Sequence, residues 1–413
     1  MIFNFKKCNK VYLFHFLMCL FIGIFAMVTT PINEITQGLK KIILSGSTLL
    51  TDYMHVGGMG ATLLNASITT LLMIGLYKIN KIKPNGSMIM SLWLILGFSM
   101  VGKNFLNIWP TIIGVYIYSK IQKEPFINYI LISVLSTSLA PLSIEIFKIL
   151  KLNIYLTILI STITSIFLGV VLPPIAKFCL KIHQGYNLYN VGFANGLIAI
   201  IFISIFKYFG FEFETNFLWS TSYTTQVKIL LSILFLILII LGIKRGELSK
   251  LFKIFKHSGR TLSDYYLIYD DICFINMGLL GFLSLLYVIL INGDLNGAVV
   301  ALILCITGFG AVGKHILNVI PVAFGVIITA FIKNIPLNTP TILLTTLGST
   351  ALAPIAGQFG ILIGIAAGFL HITLSTNIGH LSGGLNLYNN GFIAGVVAMI
   401  LLPIIDGFKK GDM

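Results

Sequence analysis

A lysine and an asparagine, spaced four residues apart, occur twice in this chain within strongly apolar sequence. Residues 101–110 read VGKNFLNIWP, and residues 312–321 read VGKHILNVIP. A lysine at the centre of a bilayer costs roughly 3 kcal/mol, so such lysines lie at helix ends, are buried in protein or face water. Glycine lets the backbone leave helical geometry, and proline lacks the amide that the next helical turn needs. Lysine and asparagine at this spacing share a helix face if the turn is helical.

Two interpretations of this repeated motif follow. In the first, its polar side chains line the path of a solute, because broken helices expose backbone groups where they border a cavity. These side chains are Lys103, Asn107, Lys314 and Asn318. In the second, Gly-Lys-Asn is a turn whose lysine extends its ammonium group to the lipid headgroups. A duplicated fold repeats its structural turns as well as its binding residues, so repetition alone leaves both interpretations open.

A second repeated motif contributes asparagine amides. Residues 185–196 read GYNLYNVGFANG, and residues 384–395 read GLNLYNNGFIAG. Amides can coordinate a polar solute without burying a charge, and asparagine also caps helix starts well. The candidate solute ligands are Asn187, Asn190, Asn386 and Asn389. The glycines in these motifs form small-x-x-x-small pairs, which permit two helices to approach closely.

Hydroxyl side chains repeat in a third block, STSLAP at 136–141 and STALAP at 349–354. The block predicts interrupted helices whose free carbonyls are partnered by hydroxyls, with a packed kink as the alternative. The sequence contains no HExxH, GxSxG or P-loop motif, and its five cysteines lack metal-binding spacing. We therefore expect no catalytic residues, no metal and no cofactor, and we expect that the protein is not an enzyme.

The composition of the chain indicates the class of protein in which these motifs occur. The chain has 413 residues, of which 57% are hydrophobic and only 10% charged, whereas a soluble domain carries about 25% charged residues. Apolar runs of membrane-spanning length recur, and backbone groups in lipid must be paired, which favours helices. The sequence predicts an all-α integral membrane protein in a lipid bilayer. The net charge of +14 comes mainly from lysines in short connectors, so we expect no nucleic-acid partner.

The repeated motifs belong to a duplication of the whole chain. Residues 85–115 and 296–326 align without gaps and are identical at 13 of 31 positions. The other repeated blocks follow in the same order along the chain, which indicates two homologous membrane repeats. We place the first repeat at 1–209 and the second at 210–413.

Connector charges predict that the second repeat is inverted. Each repeat has about seven apolar segments, and an odd number of crossings turns the second copy over. The connector 78–86 has three lysines, whereas its counterpart 291–297 has none. Positive charge marks the cytoplasmic side, which makes 244–270 a basic cytoplasmic connector. We predict about 10–14 transmembrane helices, some short or re-entrant, in the cell membrane (inner or plasma membrane) with both termini cytoplasmic.

With these motifs in place, the chain resembles an uncharacterised bacterial family of multi-pass membrane proteins, a domain of unknown function. The resemblance rests on the doubled GKxxLNxxP and LYNxGFxxG motifs and implies no activity or substrate. The chain is also faintly similar to urea channels, which have inverted halves and a Gly-Tyr-Asn motif followed by a glycine. Gly185, Tyr186, Asn187 and Gly192 match that pattern, and Leu385 departs from it in the second half.

The sequence therefore favours transport of a small polar solute, with an anion preferred because of the two lysines. Inverted repeats with interrupted helices place the solute site at the interface of the repeats. One alternative is a urea-like channel for a neutral solute. Another is an intramembrane enzyme acting on a lipid-linked substrate, which would cluster unrepeated histidines and glutamates in one cavity. A scaffold protein without a solute path is a third alternative. The sequence leaves open whether the protein assembles as a homo-oligomer.

Overall fold

The computed structural model of the chain describes residues 5–45, 50–142, 153–212, 217–245, 247–378 and 389–409, which are largely helical. The chain divides into two compact units, each assembled from three stretches. The first unit comprises Met1–Pro173, Phe213–Leu234 and Leu295–Gly308, and the second comprises Pro174–Glu212, Phe235–Asp294 and Phe309–Met413. The predicted repeat boundary after residue 209 concerns sequence similarity and stays a prediction.

The helices follow one another along the chain with short connections. Up to residue 245 they are α1 (Phe5–Thr29), α2 (Ile32–Leu44), α3 (Tyr53–Ile79), α4 (Gly86–Phe98), α5 (Trp109–Ile121), α6 (Ile130–Ser136), α7 (Ile154–His183), α8 (Asn190–Tyr208) and α9 (Thr224–Arg245). The later helices are α10 (Ser249–Ile254), α11 (Tyr265–Tyr269), α12 (Ile272–Leu290), α13 (Gly297–Phe309), α14 (Ile316–Ile332), α15 (Pro340–Ser349), α16 (Ala353–Phe359), α17 (Ile361–Ile378) and α18 (Asn389–Lys409). Two short strands, β1 (Leu50–Thr51) and β2 (Phe217–Leu218), pair in parallel within the first unit.

Nine helices among the described residues are long and apolar enough to cross a bilayer. They are Lys10–Thr29, Tyr53–Ile79, Ile154–His183, Asn190–Tyr208, Thr224–Lys244, Ile272–Leu290, Pro340–Phe359, Ile361–Ile378 and Asn389–Phe408. Several carry large exposed apolar side chains, such as Phe167 and Phe178 on α7, which a bilayer covers and water would not. The prediction of an all-α, multi-pass integral membrane protein is confirmed.

Shorter apolar helices accompany the long ones at Gly86–Phe98, Ile130–Leu142, Gly297–Phe309 and Ile316–Ile332. The helix α4 has 13 residues and is therefore about 20 Å long. The hydrocarbon layer is about 30 Å thick, so α4 is too short to cross it alone. Its end consequently leaves backbone groups that the protein must satisfy, and the residues that do so form the candidate site.

The hydroxyl block produces the interruptions predicted for it. A 3₁₀ turn follows α6 at Thr137–Leu139, and another follows α15 at Thr350–Leu352. Before each turn a serine and a threonine bond the carbonyls three residues earlier. The bonds are Ser136 to Ser133 at 2.7 Å, Thr137 to Val134 at 2.7 Å, Ser349 to Thr346 at 2.8 Å and Thr350 to Leu347 at 2.7 Å. Side-chain hydroxyls thus satisfy carbonyls where the α-helical pattern stops.

Candidate functional site

The first Gly-Lys motif lies in an irregular turn between α4 and α5, which we call the Lys103 turn (residues 99–108). Gly102 has a φ of 70°, a left-handed conformation that glycine adopts most readily. The Asn107 amide closes the turn, because its Nδ2 donates to the Gly102 carbonyl at 3.2 Å and its Oδ1 accepts from the Asn104 amide at 2.9 Å. The turn is not helical, so Lys103 and Asn107 do not share a helix face.

The second motif forms a matching turn before α14, which we call the Lys314 turn (residues 310–315). Gly313 has a φ of 84°. Asn318 Nδ2 donates to the Gly313 carbonyl at 2.8 Å, and its Oδ1 accepts from the His315 amide at 2.9 Å. This cap starts α14 at Ile316, so Pro321 lies inside the helix rather than at its first turn as Pro110 does. In both copies the chain is interrupted at the glycine, and the proline lies within the helix that follows.

Asn65, in α3, holds the Lys103 turn in place. Its Nδ2 donates to the Ser99 carbonyl at 2.7 Å and to the Lys103 carbonyl at 2.9 Å, and its Oδ1 accepts from the Phe105 amide at 3.3 Å. Asn65 is fully buried and lies about two turns after Gly58, where α3 is kinked by a non-helical residue. The lysine backbone is therefore held against the buried part of α3 that follows the kink.

Asn276, in α12, has the equivalent role in the second unit. Its Nδ2 donates to the Gly310 carbonyl at 2.8 Å and to the Lys314 carbonyl at 2.7 Å. Asn65 and Asn276 were missed as site residues in the sequence analysis. They are separated by the same 211 positions as the two lysines, but the sequences around them differ, so the spacing was the one signal for them.

The side chain of Lys103 is buried, with 2% of its surface exposed. Its Nζ donates to Thr137 Oγ1 at 3.2 Å and lies 5.4 Å from the centroid of the Phe98 ring. The thiol of Cys305 lies within electrostatic range. No carboxylate of the described part of the chain contacts this ammonium group. The lysine therefore does not extend to the membrane surface, as the turn interpretation proposed, but points into protein.

The side chain of Lys314 is buried completely and has closer partners. Its Nζ donates to Tyr189 Oη at 2.7 Å and to Thr350 Oγ1 at 2.7 Å. It also lies 4.4 Å from the centroid of the Tyr189 ring and 5.1 Å from that of the Phe309 ring. Aromatic faces attract cations, more so when water is excluded. A lysine, a threonine and a phenylalanine thus occur at both sites. A contact of the lysine with a tyrosine is described only at Lys314.

Asn187 links two segments of the second unit. Its Oδ1 accepts from the Tyr189 amide at 2.9 Å, which is a local turn contact of the capping type. Its Nδ2 donates to the Gly391 carbonyl at 3.0 Å. These contacts use the amide within the protein and fix the position of Tyr189, the residue that holds Lys314.

Two of the other predicted amides of the second motif, Asn190 and Asn389, lie at the start of α8 and α18. Asn190 Oδ1 bonds His183 Nε2 at 2.8 Å, and its Nδ2 donates to the Ala176 carbonyl at 3.1 Å. Asn389 is buried at the first position of α18. Asn386 lies outside the described residues. A solute role for these amides stays a prediction.

The glycines of this motif bring α8 and α18 together, as predicted. A Cβ added at Gly391 would lie 2.8 Å from the Gly192 Cα. Gly196 packs on Phe392, and Gly395 packs on Phe193 in return. The contacts are reciprocal, because each motif offers its second glycine to the phenylalanine of the other. The two copies of LYNxGFxxG therefore meet as a pair within the second unit.

Asp52 anchors the start of α3 next to the Lys103 turn. Its carboxylate accepts backbone amides of Met54 at 3.0 Å, Ser220 at 2.9 Å and Gly297 at 3.0 Å, and its backbone bridges to Val101. Burial raises the pKa of the Asp52 carboxyl, while the three amides act in the opposite direction by favouring its charged form. The carboxylate is thus occupied by backbone donors from three stretches of the first unit.

A half-open cavity of about 460 Å³, with a mixed and mainly apolar lining, lies within the second unit beside the start of α18. Its polar lining includes Thr341, Thr345, Ser375, Asn389 and Asn390, and none of its described lining residues is charged. The Thr345 and Ser375 hydroxyls are 2.7 Å apart. Such a lining offers neutral donors and acceptors only.

Across the described ranges, no group of three or more histidines, cysteines, aspartates or glutamates could hold a metal ion. The expectations of no metal, no cofactor and no enzymatic activity stay predictions.

Comparison with known proteins identifies the family of the chain. No curated protein and no solved structure matches it. A model of a family described as a protein of unknown function, DUF1576, matches residues 31–208 and 243–407. These two stretches contain both lysine turns, both supporting asparagines and nearly all of the helices described above. The chain therefore belongs to the DUF1576 family, as its repeated motifs led us to expect.

Proposed function

We propose that this protein transports a small polar solute, preferably an anion, across the cell membrane, with both of its termini in the cytoplasm. The observation that supports this most directly is a buried lysine at both copies of one motif, whose ammonium group contacts hydroxyls and aromatic rings. At Lys103 these contacts are the Thr137 hydroxyl and the Phe98 ring, and no carboxylate of the described residues contacts the ammonium group.

The electrostatic cost of such lysines favours a functional role. A buried charge is strongly unfavourable unless an opposite charge or several hydrogen bonds compensate it. A purely structural turn could use a neutral side chain and avoid this cost. At Lys103 an anionic solute supplies the opposite charge when it binds, and leaves without breaking an ion pair that the protein needs in order to fold.

The backbone at these lysines supports the same proposal. Irregular backbone at membrane depth is tolerated where it is buried in protein or lines a cavity, and transporters use broken helices there to bind solutes. The Lys103 turn is bonded by the buried Asn65 of the long apolar helix α3, and the short helix α4 ends at this turn. The reciprocal contact of α8 and α18 is the pairing of motif copies that we expect of a transporter rather than an enzyme.

Uptake into proteoliposomes tests the proposal. The double variant Lys103→Met, Lys314→Met keeps the side-chain length and removes both charges, and we expect uptake of the transported anion to fall at least tenfold. Lys123→Met is the matched control, because Lys123 is exposed and should transport normally. Thermal-shift screening of the purified wild type against small metabolites finds the solute to use, since a ligand of the folded state raises its apparent stability. Normal uptake by the folded double variant would refute the proposal.

A neutral, urea-like solute is the second candidate, and the uncharged cavity beside α18 favours it. Its hydroxyls and amides can bond a neutral polar molecule from several sides. This candidate predicts that Thr345→Val and Ser375→Ala reduce uptake while the lysine variants do not. The site at the interface of the repeats and the homo-oligomer stay predictions in either case.

A further inference from the structure

We propose that the two repeated lysines have diverged, so that Lys103 binds a small monovalent anion while Lys314 is held by the protein itself. This inference rests on the proposed function and specifies which of its lysines contacts the solute and what charge that solute carries. It follows from comparing two sites that share one framework.

The surroundings of Lys103 and Lys314 can be compared directly, because the two sites have the same framework. Each lysine follows a glycine of positive φ, and each has its carbonyl bonded by an asparagine of a long helix. Each ammonium group faces a threonine at a helix interruption and the ring of a phenylalanine. The sites therefore differ in the hydrogen-bond acceptors and aromatic rings that surround the ammonium group, and in how close these groups lie to it.

An ammonium group has three hydrogen-bond donors. At Lys314 the Tyr189 hydroxyl and the Thr350 hydroxyl accept at 2.7 Å each, and two aromatic rings cover the cation. At Lys103 the single described acceptor is Thr137, at 3.2 Å, and the one nearby ring is farther away. Lys103 is nevertheless only 2% exposed, so water does not compensate it as it would at a surface.

The charge of the missing partner follows from this environment. One ammonium group in a low-dielectric setting is neutralised by one negative charge, whereas a dianion would leave an excess charge buried. The nearby Asp52 carboxylate does not neutralise Lys103, because it already accepts hydrogen bonds from three backbone amides. A small carboxylate or an inorganic monoanion can accept the remaining lysine donors, whereas the Thr137 hydroxyl donates to the Val134 carbonyl and only accepts from the lysine.

Apparent melting temperatures of the purified protein test this division of roles without any transport measurement. Nitrate and formate are the monoanion probes and sulfate is the dianion, each titrated at constant ionic strength against gluconate, which is bulky. We expect nitrate or formate to raise the melting temperature of the wild type and of Lys314→Met in a saturable way. Lys103→Met should lose this shift, and sulfate should produce less of it.

Stability in gluconate alone gives a second, independent readout. Lys103→Met removes a poorly satisfied buried charge and should raise the melting temperature. Lys314→Met leaves the Tyr189 and Thr350 hydroxyls without their cation and should lower it. Should Lys103→Met not fold, Thr137→Val and Thr350→Val replace the pair, because both keep the lysines. The nitrate shift should change in Thr137→Val only, because Thr137 contacts the Lys103 ammonium group and Thr350 contacts that of Lys314.

Three results would overturn the inference. A monoanion shift that survives in Lys103→Met places the anion elsewhere, and a shift lost equally in both lysine variants means that the lysines act together. A wild type that no monoanion stabilises, yet that transports another solute, refutes the monoanion while leaving the proposed function intact.

Discussion

Replacing Asn65 by alanine should disturb the Lys103 turn more than any change at the turn itself, because one side chain satisfies three backbone groups. The substitution removes two short hydrogen bonds to the Ser99 and Lys103 carbonyls and a longer one from the Phe105 amide. All three partners lose their contact at a site closed to water, since Asn65 is fully buried.

The expected loss of stability can be worked from these bonds. A buried hydrogen bond contributes about 1 kcal/mol, and an orphaned buried group costs about 1–3 kcal/mol. Two short bonds and one long one give about 3 kcal/mol for Asn65→Ala. Asn276→Ala removes two bonds and also a buried Oδ1 for which the described residues provide no partner. Its loss should be smaller, about 1–2 kcal/mol.

Unfolding by a titrated denaturing detergent in mixed micelles measures these differences. Asn80→Ala is the control, because Asn80 makes one side-chain bond, to the Leu76 carbonyl, at the half-buried end of the same helix; we expect a change below about 0.5 kcal/mol. Uptake by folded Asn65→Ala should also fall, since the lysine backbone loses its support. Equal stability losses for Asn65→Ala and Asn80→Ala would refute the reasoning.

Three further substitutions test other parts of the site. Asp52→Ala leaves three buried amides without an acceptor and should cost about 2–4 kcal/mol in the same detergent titration. Gly391→Val should reduce the yield of folded protein in size-exclusion chromatography, because its side chain meets a neighbouring backbone, whereas Gly407→Val, with open space around it, should not. Gly313→Ala should lower the melting temperature more than Gly210→Ala; both glycines have positive φ, but only Gly313 is also tightly packed, and equal effects would show that packing does not matter.

The sequence was sufficient to predict the fold class and the irregular turns. Apolar runs of membrane length and the doubled Gly-Lys motif depend on local composition, and Gly102 and Gly313 have the positive φ that such a motif favours. The hydroxyls of Ser136 and Thr137 bond nearby carbonyls, an arrangement that sequence spacing alone can indicate. In each case the residues that explain the structure are neighbours in the chain.

The remaining features depend on contacts between distant residues, which one sequence does not reveal. Asn65 and Asn276 stand in helices that are otherwise dissimilar, so a single shared asparagine carried little signal. Tyr189 looked like part of a helix start, and its contact with Lys314 spans 125 residues. Asn107 would share a helix face with Lys103 only in a helical turn, and sequence spacing does not show that the turn closes around Gly102 and directs the Asn107 amide to the backbone.

The phenol that secures Lys314 has a consequence for biosynthesis. The ribosome releases Tyr189 long before Lys314, so the early segment must wait in the translocon or the lipid until its cation arrives. Fragments 1–209 and 210–413, made separately, would each lack half of this cage and would have to find each other in the bilayer. Co-expression should therefore rescue what neither fragment achieves alone, because the second unit is complete only when its last stretch, Phe309–Met413, has been synthesised.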